Sequence, residues 1–380
     1  MKTSREFQIF AKPAGARCNL GCWYCYYLEK EQLYADAPTH RMSAELLETY
    51  IRQHMQATTE PVIHFAWHGG EPTILGLDYF RTIVALQKKH QPAHQKIVNG
   101  IQTNGTLLTD AWCRFFKEQG FTIGISIDGP AMLHDLFRVT KSGKPTHAAT
   151  MRGYALLQKY NVPTEILCVV NAENVKHPLT AYRYFKSLGA RYISFLPLVE
   201  RGESGESDPF SVPAEAFGDF PITIFDEWVA SDIGRLKVQI FEEAARTAFG
   251  QDHTLCIFKQ TCGGVPVVEH NGDFYACDHF VDAAHLVGNI RNTPLHQLLD
   301  SPMQQKFGQN KWDSLPQFCR KCEVLDMCNG GCPKNRFIRT PDGESGLNYL
   351  CAGYKNFFLH CRPFVQQISA LWQQQQNQAL

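Results

Sequence analysis

The sequence predicts an α/β fold in which a partial (β/α)6 barrel is followed by a small, cysteine-rich C-terminal domain. Two observations predict it. Apolar, strand-like segments alternate with helical segments through the first two thirds of the 380 residues, and most of the 14 cysteines fall between positions 256 and 361. A chain of this length is typical of two domains. We therefore expect a barrel over 1–235, a cysteine-rich domain over 236–365 and a glutamine-rich tail over 366–380.

The barrel prediction depends on six short apolar runs that have helical segments between most of them. Strands that alternate with helices of this length form parallel sheets, and six units suit an open or partial barrel better than a closed eight-unit one. The helix predicted over 43–57 has an apolar face, and a second helix is capped by Thr109 and ended by Gly120. The predicted strands are 7–11, 62–67, 97–102, 121–127, 164–170 and 191–198.

Charge and hydropathy argue against two classes of protein. Lys+Arg and Asp+Glu are both 37, so the net charge is zero, whereas nucleic-acid enzymes usually have a basic surface. No apolar run approaches the ~18 residues of a membrane span, and the N-terminus lacks the apolar core of a signal peptide. We expect a cytoplasmic protein without nucleic-acid or membrane partners. In a reducing compartment, clustered cysteines favour metal binding or catalysis over disulfides.

The most informative segment carries Cys18, Cys22 and Cys25 in a C-x3-C-x2-C spacing. Three thiolates can hold three corners of a [4Fe-4S] cluster, where four are usual. The fourth iron is then free to bind a substrate or cofactor, as the open position of a catalytic zinc site does. A zinc site that lacks one ligand, or chance clustering, is the alternative at this point.

Four unusual loops directly follow predicted strands. In barrels of this kind the chemistry lies at the C-terminal ends of the strands, so these loops are candidates for one site. The alternative for any single loop is that glycine and asparagine simply form a turn. The four loops are 18–25, 68–72, 102–106 and 126–130.

These motifs resemble those of the radical S-adenosylmethionine (SAM) superfamily. The three cysteines match its signature, and the segment 69–72 (Gly-Gly-Glu-Pro) is similar to its GGEP motif. The resemblance implies that SAM chelates the open iron and that the motif's backbone and glutamate receive its ammonium group. From the residues alone, Ser126 could be a turn hydroxyl, Arg138 a surface arginine and Tyr24 a core residue. The SAM-binding residues that the resemblance implies are Tyr24, Gly69, Gly70, Glu71, Gln102, Ser126 and Arg138.

Eight of the C-terminal cysteines suffice for two four-thiolate clusters, or equally for two zinc sites. Spacing does not separate these alternatives, but a radical enzyme needs routes for electrons and zinc provides none. The region resembles the SPASM extension of peptide-modifying radical SAM enzymes. That resemblance implies two auxiliary [4Fe-4S] clusters, making three in all. One would be bound by Cys256, Cys262, Cys277 and Cys332, and the other by Cys319, Cys322, Cys328 and Cys351.

Asp278 directly follows a predicted cluster ligand in a Cys-Asp-His segment. This segment, with Gly288-Asn289-Ile290, resembles the anaerobic sulfatase-maturating enzymes, which convert a serine or cysteine of a sulfatase to Cα-formylglycine. The resemblance implies hydrogen abstraction from the substrate Cβ by a 5′-deoxyadenosyl radical. Asp278 would be the base that takes the hydroxyl or thiol proton. The alternative is that Asp278 accepts hydrogen bonds that shape the cluster loop.

The implied partners are an extended or unfolded sulfatase segment of the type C/S-x-P/A-x-R and a flavodoxin or ferredoxin as electron donor. We expect a monomer. Another SPASM enzyme that crosslinks ribosomal peptides, or a non-enzymatic iron–sulfur or zinc scaffold, is the alternative function. The sequence does not choose between serine and cysteine as the target. It also assigns no role to His68, Cys113, Cys168 and Cys361.

Overall fold

A computed structural model describes residues 3, 6–35, 40–202 and 207–379. Five of the six predicted strands are found within about a residue of the expected bounds. The first strand is shorter than predicted, because it begins three residues later and ends one residue later. The strands are β1 (Phe10–Lys12), β2 (Val62–Trp67), β3 (Lys96–Thr103), β4 (Thr122–Ser126), β5 (Thr164–Val170), β6 (Tyr192–Pro197), β7 (Lys237–Val238), β8 (Val267–Glu269), β9 (Asp273–Tyr275), β10 (Leu286–Asn289), β11 (Ile338–Arg339) and β12 (Ser345–Leu347).

The predicted helices begin and end at the expected signals. Ser43 Oγ accepts a hydrogen bond from Leu46 N (3.2 Å) at the start of α1, and Gly120 ends α3 in the left-handed region at φ 68°. The α-helices are α1 (Ala44–Ala57), α2 (Leu77–His90), α3 (Asp110–Gln119), α4 (Ala131–His134), α5 (His147–Lys159), α6 (Pro178–Ser187), α7 (Ala214–Ser231), α8 (Gln239–Arg246), α9 (Leu295–Leu299), α10 (Pro302–Asp313), α11 (Gln317–Arg320), α12 (Leu325–Cys328) and α13 (Cys351–Ala379).

The chain forms two compact units, and neither is continuous in sequence. The first unit comprises residues 1–127, 134–165 and 263–308, and the second comprises 128–133, 166–262 and 309–380. The domain boundaries at 235 and 365 therefore do not coincide with the compact units and stay a prediction. The residues predicted to form the tail continue α13, which runs to Ala379.

The sheet of the first unit has the order β10-β9-β8-β1-β2-β3-β4. β1, β2, β3 and β4 are parallel neighbours, as predicted, so the loops that follow them lie along one edge. Within the described residues neither this sheet nor the strands of the second unit close into a barrel. The predicted α/β fold with an incomplete barrel is confirmed.

A three-strand extension of this sheet was not predicted. β8 pairs with β1 in parallel, with Lys12 opposite Glu269, and β9 and β10 continue the sheet in antiparallel pairs. Because β9 runs back from β8, the segment after Tyr275 enters the same unit as the first cysteine loop. The sequence alone placed this segment in a separate domain.

The core of the first unit is rich in aromatic side chains. Phe65 and Trp67 of β2 are buried and stack with ring centroids 5.8 Å apart, and Phe80 of α2 meets Trp67 edge-on at 6.5 Å. Burying one such side chain contributes about 1.5–3 kcal/mol. The indole of Trp67 donates to Asn99 Oδ1 (2.8 Å), so its polar group is also satisfied.

The second unit contains β5 from Ile166 onward, β6 and β7 in parallel pairing, with α7 packed against α13. The two helices approach closely at Gly218 and Gly353, where a Cβ added to Gly218 would lie 2.8 Å from the Cα of Gly353. Aromatic residues line the same contact, for example Phe217 edge-on to Tyr354 at 5.4 Å. None of the helices in the described residues is sufficiently long and apolar to span a bilayer.

Candidate functional site

The three N-terminal cysteines lie half-buried in one loop of the first unit. The loop is held by backbone hydrogen bonds from Gly21 N to Val139 O (2.9 Å) and from Trp23 N to Phe137 O (3.0 Å). Cys18 Sγ accepts from Leu20 N at 3.4 Å. Burial raises the pKa of the Cys18 thiol to about 12, so its thiolate form requires a cationic partner. This donor set fits an iron–sulfur cluster.

Gly69 and Gly70 hold the loop after β2 against the chain that leads into this cysteine loop. Gly70 N donates to Gly15 O and Glu71 N donates to Arg17 O, both at 2.9 Å. A Cβ on Gly70 would lie 2.0 Å from Arg17 O, which no side chain can tolerate. The two glycines are therefore required for this close approach of two backbones.

The Glu71 carboxylate is fully buried and accepts four hydrogen bonds from neighbouring loops. The donors to Oε1 are Thr73 N (3.0 Å), Thr73 Oγ1 (2.6 Å) and Thr103 Oγ1 (2.8 Å), and Asn104 N donates to Oε2 (2.7 Å). Burial raises the pKa of Glu71, and these hydrogen bonds oppose the shift. Its side chain thus joins the loops after β2 and β3, while its contact with the ammonium group of SAM stays a prediction.

Asn104 contacts the cysteine loop directly from the end of β3. Its Nδ2 lies 2.9 Å from Asn19 Oδ1 and 3.8 Å from Cys18 Sγ, and its Oδ1 accepts from Thr106 Oγ1 at 2.7 Å. Asn19 Nδ2 in turn donates to Thr106 Oγ1 at 2.9 Å. The loop after β3 therefore fixes the first cysteine.

The remaining predicted SAM contacts form two pairs in the first unit. Gln102 Nε2 donates to Ser126 Oγ at 2.9 Å, which links the ends of β3 and β4. The guanidinium of Arg138 lies 5.5 Å from the ring centroid of Tyr24, and Arg138 is buried, not a surface arginine. These positions are compatible with the predicted roles, which stay predictions.

Asp278 is buried beside two residues that the sequence did not single out. Lys12 forms an ion pair with its Oδ1, and the hydroxyl of Tyr26 donates to Oδ2 at 2.5 Å. Burial raises the pKa of Asp278, but the charge of Lys12 opposes burial, and the pKa lies well below its usual value. The carboxylate is therefore ionised at neutral pH.

Lys12 is fully buried at the end of β1. Its ammonium group also lies 3.2 Å from the ring centroid of Tyr27, whose hydroxyl donates to the buried Glu269. The available sequence signal was a single charged residue at the end of an apolar strand, just before the cysteine loop. A lysine at such a position is almost never fully buried unless it is paired.

His68 lies in the same region of the first unit and stacks on Phe10, with ring centroids 5.0 Å apart. Burial lowers its pKa to about 4, and Asp278 partly opposes the shift. Among the described residues, His68 Nδ1 has no hydrogen-bond partner. His68 is therefore a neutral imidazole at neutral pH.

One cavity of the second unit is lined by four of the predicted cluster ligands: Cys319, Cys322, Cys328 and Cys351. Apolar residues complete its wall, among them Phe318, Val324, Leu325 and Leu347. Burial raises the pKa of Cys328 to about 12. Four thiols around one apolar cavity fit a fully ligated [4Fe-4S] cluster.

The other predicted ligand set is divided between the units. Cys256, Cys262 and Cys332 belong to the second unit and Cys277 to the first, so their joint ligation stays a prediction. In the described part of the chain, no three His, Cys, Asp or Glu side chains are arranged to hold a single metal ion. Cys113, Cys168 and Cys361 are completely buried and pack as small apolar residues.

Family models match two parts of the chain. Residues 13–185 match the radical SAM superfamily, and residues 262–323 match SPASM, an iron–sulfur cluster-binding domain. A serine-type anaerobic sulfatase-maturating enzyme of Bacteroides thetaiotaomicron is 44% identical over 95% of this chain and 91% of its own length. The chain belongs to the anaerobic sulfatase-maturating enzyme family. A cysteine-type member from Clostridium perfringens is 32% identical over 93% of this chain and 96% of its own.

Solved structures agree with membership of the anaerobic sulfatase-maturating enzyme family. Native anSMEcpe with bound AdoMet and Cp18Cys peptide superposes with a TM-score of 0.87 at 30% identity, covering 96% of this chain and 99% of that chain. Streptococcus suis SuiB bound to its precursor peptide SuiA shares only 14% identity at a TM-score of 0.62, covering 91% of this chain and 76% of its own. The likeness to SuiB shows a common fold alone.

Proposed function

We propose that this enzyme oxidises a serine or cysteine side chain of a sulfatase to Cα-formylglycine. The observation that carries the proposal is the placement of Asp278 in the same compact unit as the three-cysteine loop, buried and ionised, in a chain 44% identical to a named maturase. The serine-type relatives are 44% and 37% identical and the cysteine-type relatives 32% or less. These values favour serine as the target.

The cofactors of this reaction are SAM and a [4Fe-4S] cluster held by Cys18, Cys22 and Cys25. When bound, they supply the 5′-deoxyadenosyl radical that removes a hydrogen atom from the substrate Cβ. The residues of this chain shape the site that holds them. Gly70 permits the close backbone contact, and the Glu71 carboxylate joins the loops after β2 and β3.

Asp278 is the proposed base. Aldehyde formation from serine removes one hydrogen atom from Cβ, one proton from the hydroxyl and one electron. An ionised carboxylate within hydrogen-bond reach accepts that proton. The Lys12 ammonium and the Tyr26 hydroxyl hold one carboxylate oxygen each, which orients the base and keeps it ionised before the substrate arrives. A cysteine substrate loses the same three species, a hydrogen atom, a proton and an electron. It yields a thioaldehyde, which hydrolyses to the aldehyde.

Two auxiliary [4Fe-4S] clusters complete the proposal and give three clusters in all. When bound, they would provide a site for the electron that leaves the substrate. The cavity lined by four cysteines supports one ligand set (Cys319, Cys322, Cys328 and Cys351). The second set is Cys256, Cys262, Cys277 and Cys332, and it rests on the resemblance to SPASM proteins.

The proposed partners are an extended sulfatase segment of the type C/S-x-P/A-x-R and a flavodoxin or ferredoxin that supplies electrons. A side chain that must reach within a few ångströms of a radical carbon needs an extended or unfolded segment. We also propose that the enzyme is a cytoplasmic monomer. The solved relative with a bound peptide supports peptide binding, and size-exclusion chromatography with light scattering tests the monomer.

The proposal is tested by incubating the enzyme anaerobically with SAM, dithionite and two peptides, Ser-x-Pro-x-Arg and Cys-x-Pro-x-Arg. We expect 5′-deoxyadenosine and a mass loss that matches an aldehyde, with faster turnover of the serine peptide. A crosslinked peptide product would instead show that the enzyme carries out a different reaction of the SPASM peptide-modifying enzymes. The absence of 5′-deoxyadenosine from fully loaded enzyme would show an iron–sulfur scaffold.

A further inference from the structure

Lys311 is a buried lysine near the C-terminal end of α10, only 1% exposed. Its ammonium group donates to Cys256 O (2.9 Å), to Ile257 O (2.8 Å) and to Lys259 O. One side chain thus binds three carbonyls of the short segment that carries a predicted cluster ligand. The fourth carbonyl of this segment, that of Phe258, accepts from Asn329 Nδ2 at 2.7 Å.

Three carbonyl acceptors match the three N–H donors of an ammonium group, whereas a neutral amine has only two. Lys311 is therefore held as a cation, and its donors are all used within the protein. Among the described residues, no carboxylate forms an ion pair with it. Burial lowers its pKa, and the charge of Arg336 acts in the same direction, while the side chains of Cys262, Cys256 and Cys332 oppose the shift.

Arg336 extends this arrangement to the turn that ends at Cys332. It donates from Nη1 to Lys311 O (2.6 Å), from Nε to Gly330 O (3.0 Å) and from Nη2 to Asn329 O (3.1 Å). The cation of Lys311 is consequently fixed relative to both segments that supply thiolates. A side chain held by this many hydrogen bonds acts as a permanent charge and not as a mobile acid or base.

The cavity of the other ligand set is different. The lysine that lines this cavity is Lys355, which is partly exposed and forms an ion pair with Glu323 at 3.1 Å. A solvated and neutralised charge acts weakly on its surroundings, whereas a buried and unpaired one acts strongly because the local dielectric constant is low. The charge of Arg336 acts on cysteines of both ligand sets, so the two sets differ in their lysines: one is buried without a carboxylate partner among the described residues, and the other is partly exposed and paired.

We propose that Lys311 is a positioning residue that raises the reduction potential of the auxiliary cluster bound by Cys256, Cys262 and Cys332. The inference rests on the proposed function, which supplies the two auxiliary clusters. A four-thiolate cluster gains one negative charge on reduction, and its potential depends on the charge and hydrogen bonds around its sulfurs. A fixed buried cation favours the reduced form. It makes this cluster easier to reduce than the one bound by Cys319, Cys322, Cys328 and Cys351.

The test is an EPR-monitored redox titration of the holoenzyme. In Lys311→Met we expect the equilibrium constant for reduction of one auxiliary cluster to fall at least about tenfold. For a one-electron couple this corresponds to a reduction potential ~59 mV lower. The other auxiliary cluster should keep its potential. Lys311→Arg, which retains the charge, and Lys306→Met, which removes an exposed lysine of the same helix, should leave both potentials unchanged.

Unchanged potentials in a fully loaded Lys311→Met enzyme would overturn the proposal, as would equal shifts in Lys311→Met and Lys311→Arg. Lys311→Gln is the second neutral variant and keeps two of the N–H donors, which protects the fold. If neither neutral variant bound iron while Lys311→Arg did, the charge would serve assembly and not potential, which also contradicts the proposal. Wild-type enzyme without auxiliary clusters would instead show that the proposed function is wrong.

Discussion

Lys12 and Asp278 come from distant parts of the sequence and form a buried ion pair in the first compact unit. The pair exists because β8 lies beside β1 in the sheet, so that the chain returning through β9 places Asp278 near the end of β1. A buried carboxylate without such a partner would shift its pKa upward and become neutral. The ion pair therefore keeps this buried carboxylate ionised at neutral pH, the form that can accept a proton.

Replacing Asp278 by asparagine tests the base directly. Asp278→Asn keeps the size of the side chain but cannot accept the substrate proton, and we expect aldehyde formation to fall at least ~100-fold with the iron content unchanged. Peptide mass spectrometry and iron analysis check both parts. Asp282→Asn is the matched control, because that partly exposed carboxylate binds His285 and neighbouring backbone N–H groups. Normal turnover by Asp278→Asn would contradict the assignment.

Gly70→Ala tests the close backbone approach at the glycine pair. The new Cβ would lie 2.0 Å from Arg17 O, so the loop must move away from the cysteine segment. We expect loss of SAM cleavage, measured as 5′-deoxyadenosine, with the fold retained. Gly100→Ala serves as the control, since its Cβ would meet Thr122 Oγ1 at an ordinary 3.5 Å. Equal SAM cleavage by both variants would show that the contact is unimportant.

The iron content of a variant tests whether the cavity lined by four cysteines binds a cluster. Cys328→Ser should lower the iron content by about four atoms per chain, because one [4Fe-4S] cluster loses a ligand. Cys113→Ala should leave it unchanged, because Cys113 lies buried in α3 among apolar residues. Anaerobic reconstitution followed by iron and sulfide analysis provides the measurement. Full iron loading in Cys328→Ser would remove the support for this ligand set.

Because His54 is buried, we predict that the free energy of unfolding of the first unit depends on pH. Burial lowers its pKa to about 3, and its Nδ1 lies 3.0 Å from the hydroxyl of Tyr50. Between that value and the unfolded pKa of about 6.5, the unfolded chain binds more protons, so stability falls as the pH falls. At pH 5.5 the loss is about 1.4 kcal/mol relative to high pH.

The corresponding measurement compares anaerobic melting temperatures at pH 7.5 and 5.5. Wild-type protein should lose more stability on acidification than His54→Phe, which has no titrating group at this position. His94→Gln, at an exposed site between α2 and β3, should behave as wild type. Parallel pH dependence of wild type and His54→Phe would show that the imidazole is not held neutral.

The sequence predicted those features that local signals encode. Ser43, Thr109 and Gly120 mark helix ends through capping and left-handed geometry, and the structure places them there. Strands β2 to β6 were also predicted, because each is long enough to show an apolar pattern. The short spacing of the three N-terminal cysteines also placed them in one loop.

Long-range pairings were not predictable in this way. β1, β8 and β9 have three residues each, which is too short for a recognisable period, and nothing local indicates that β8 pairs with β1. Lys12 was missed for the same reason, because its partner Asp278 arrives only through that pairing. Lys311 was missed because a lysine on a helix is normally a solvated surface residue.

The most direct test of the account uses a serine peptide that carries deuterium at Cβ. The enzyme, loaded with iron and reduced under anaerobic conditions, should transfer deuterium into 5′-deoxyadenosine and produce the peptide aldehyde in equal amount. Transfer of deuterium together with an aldehyde would confirm hydrogen abstraction at Cβ followed by oxidation. Unlabelled 5′-deoxyadenosine alongside an unchanged peptide would contradict it.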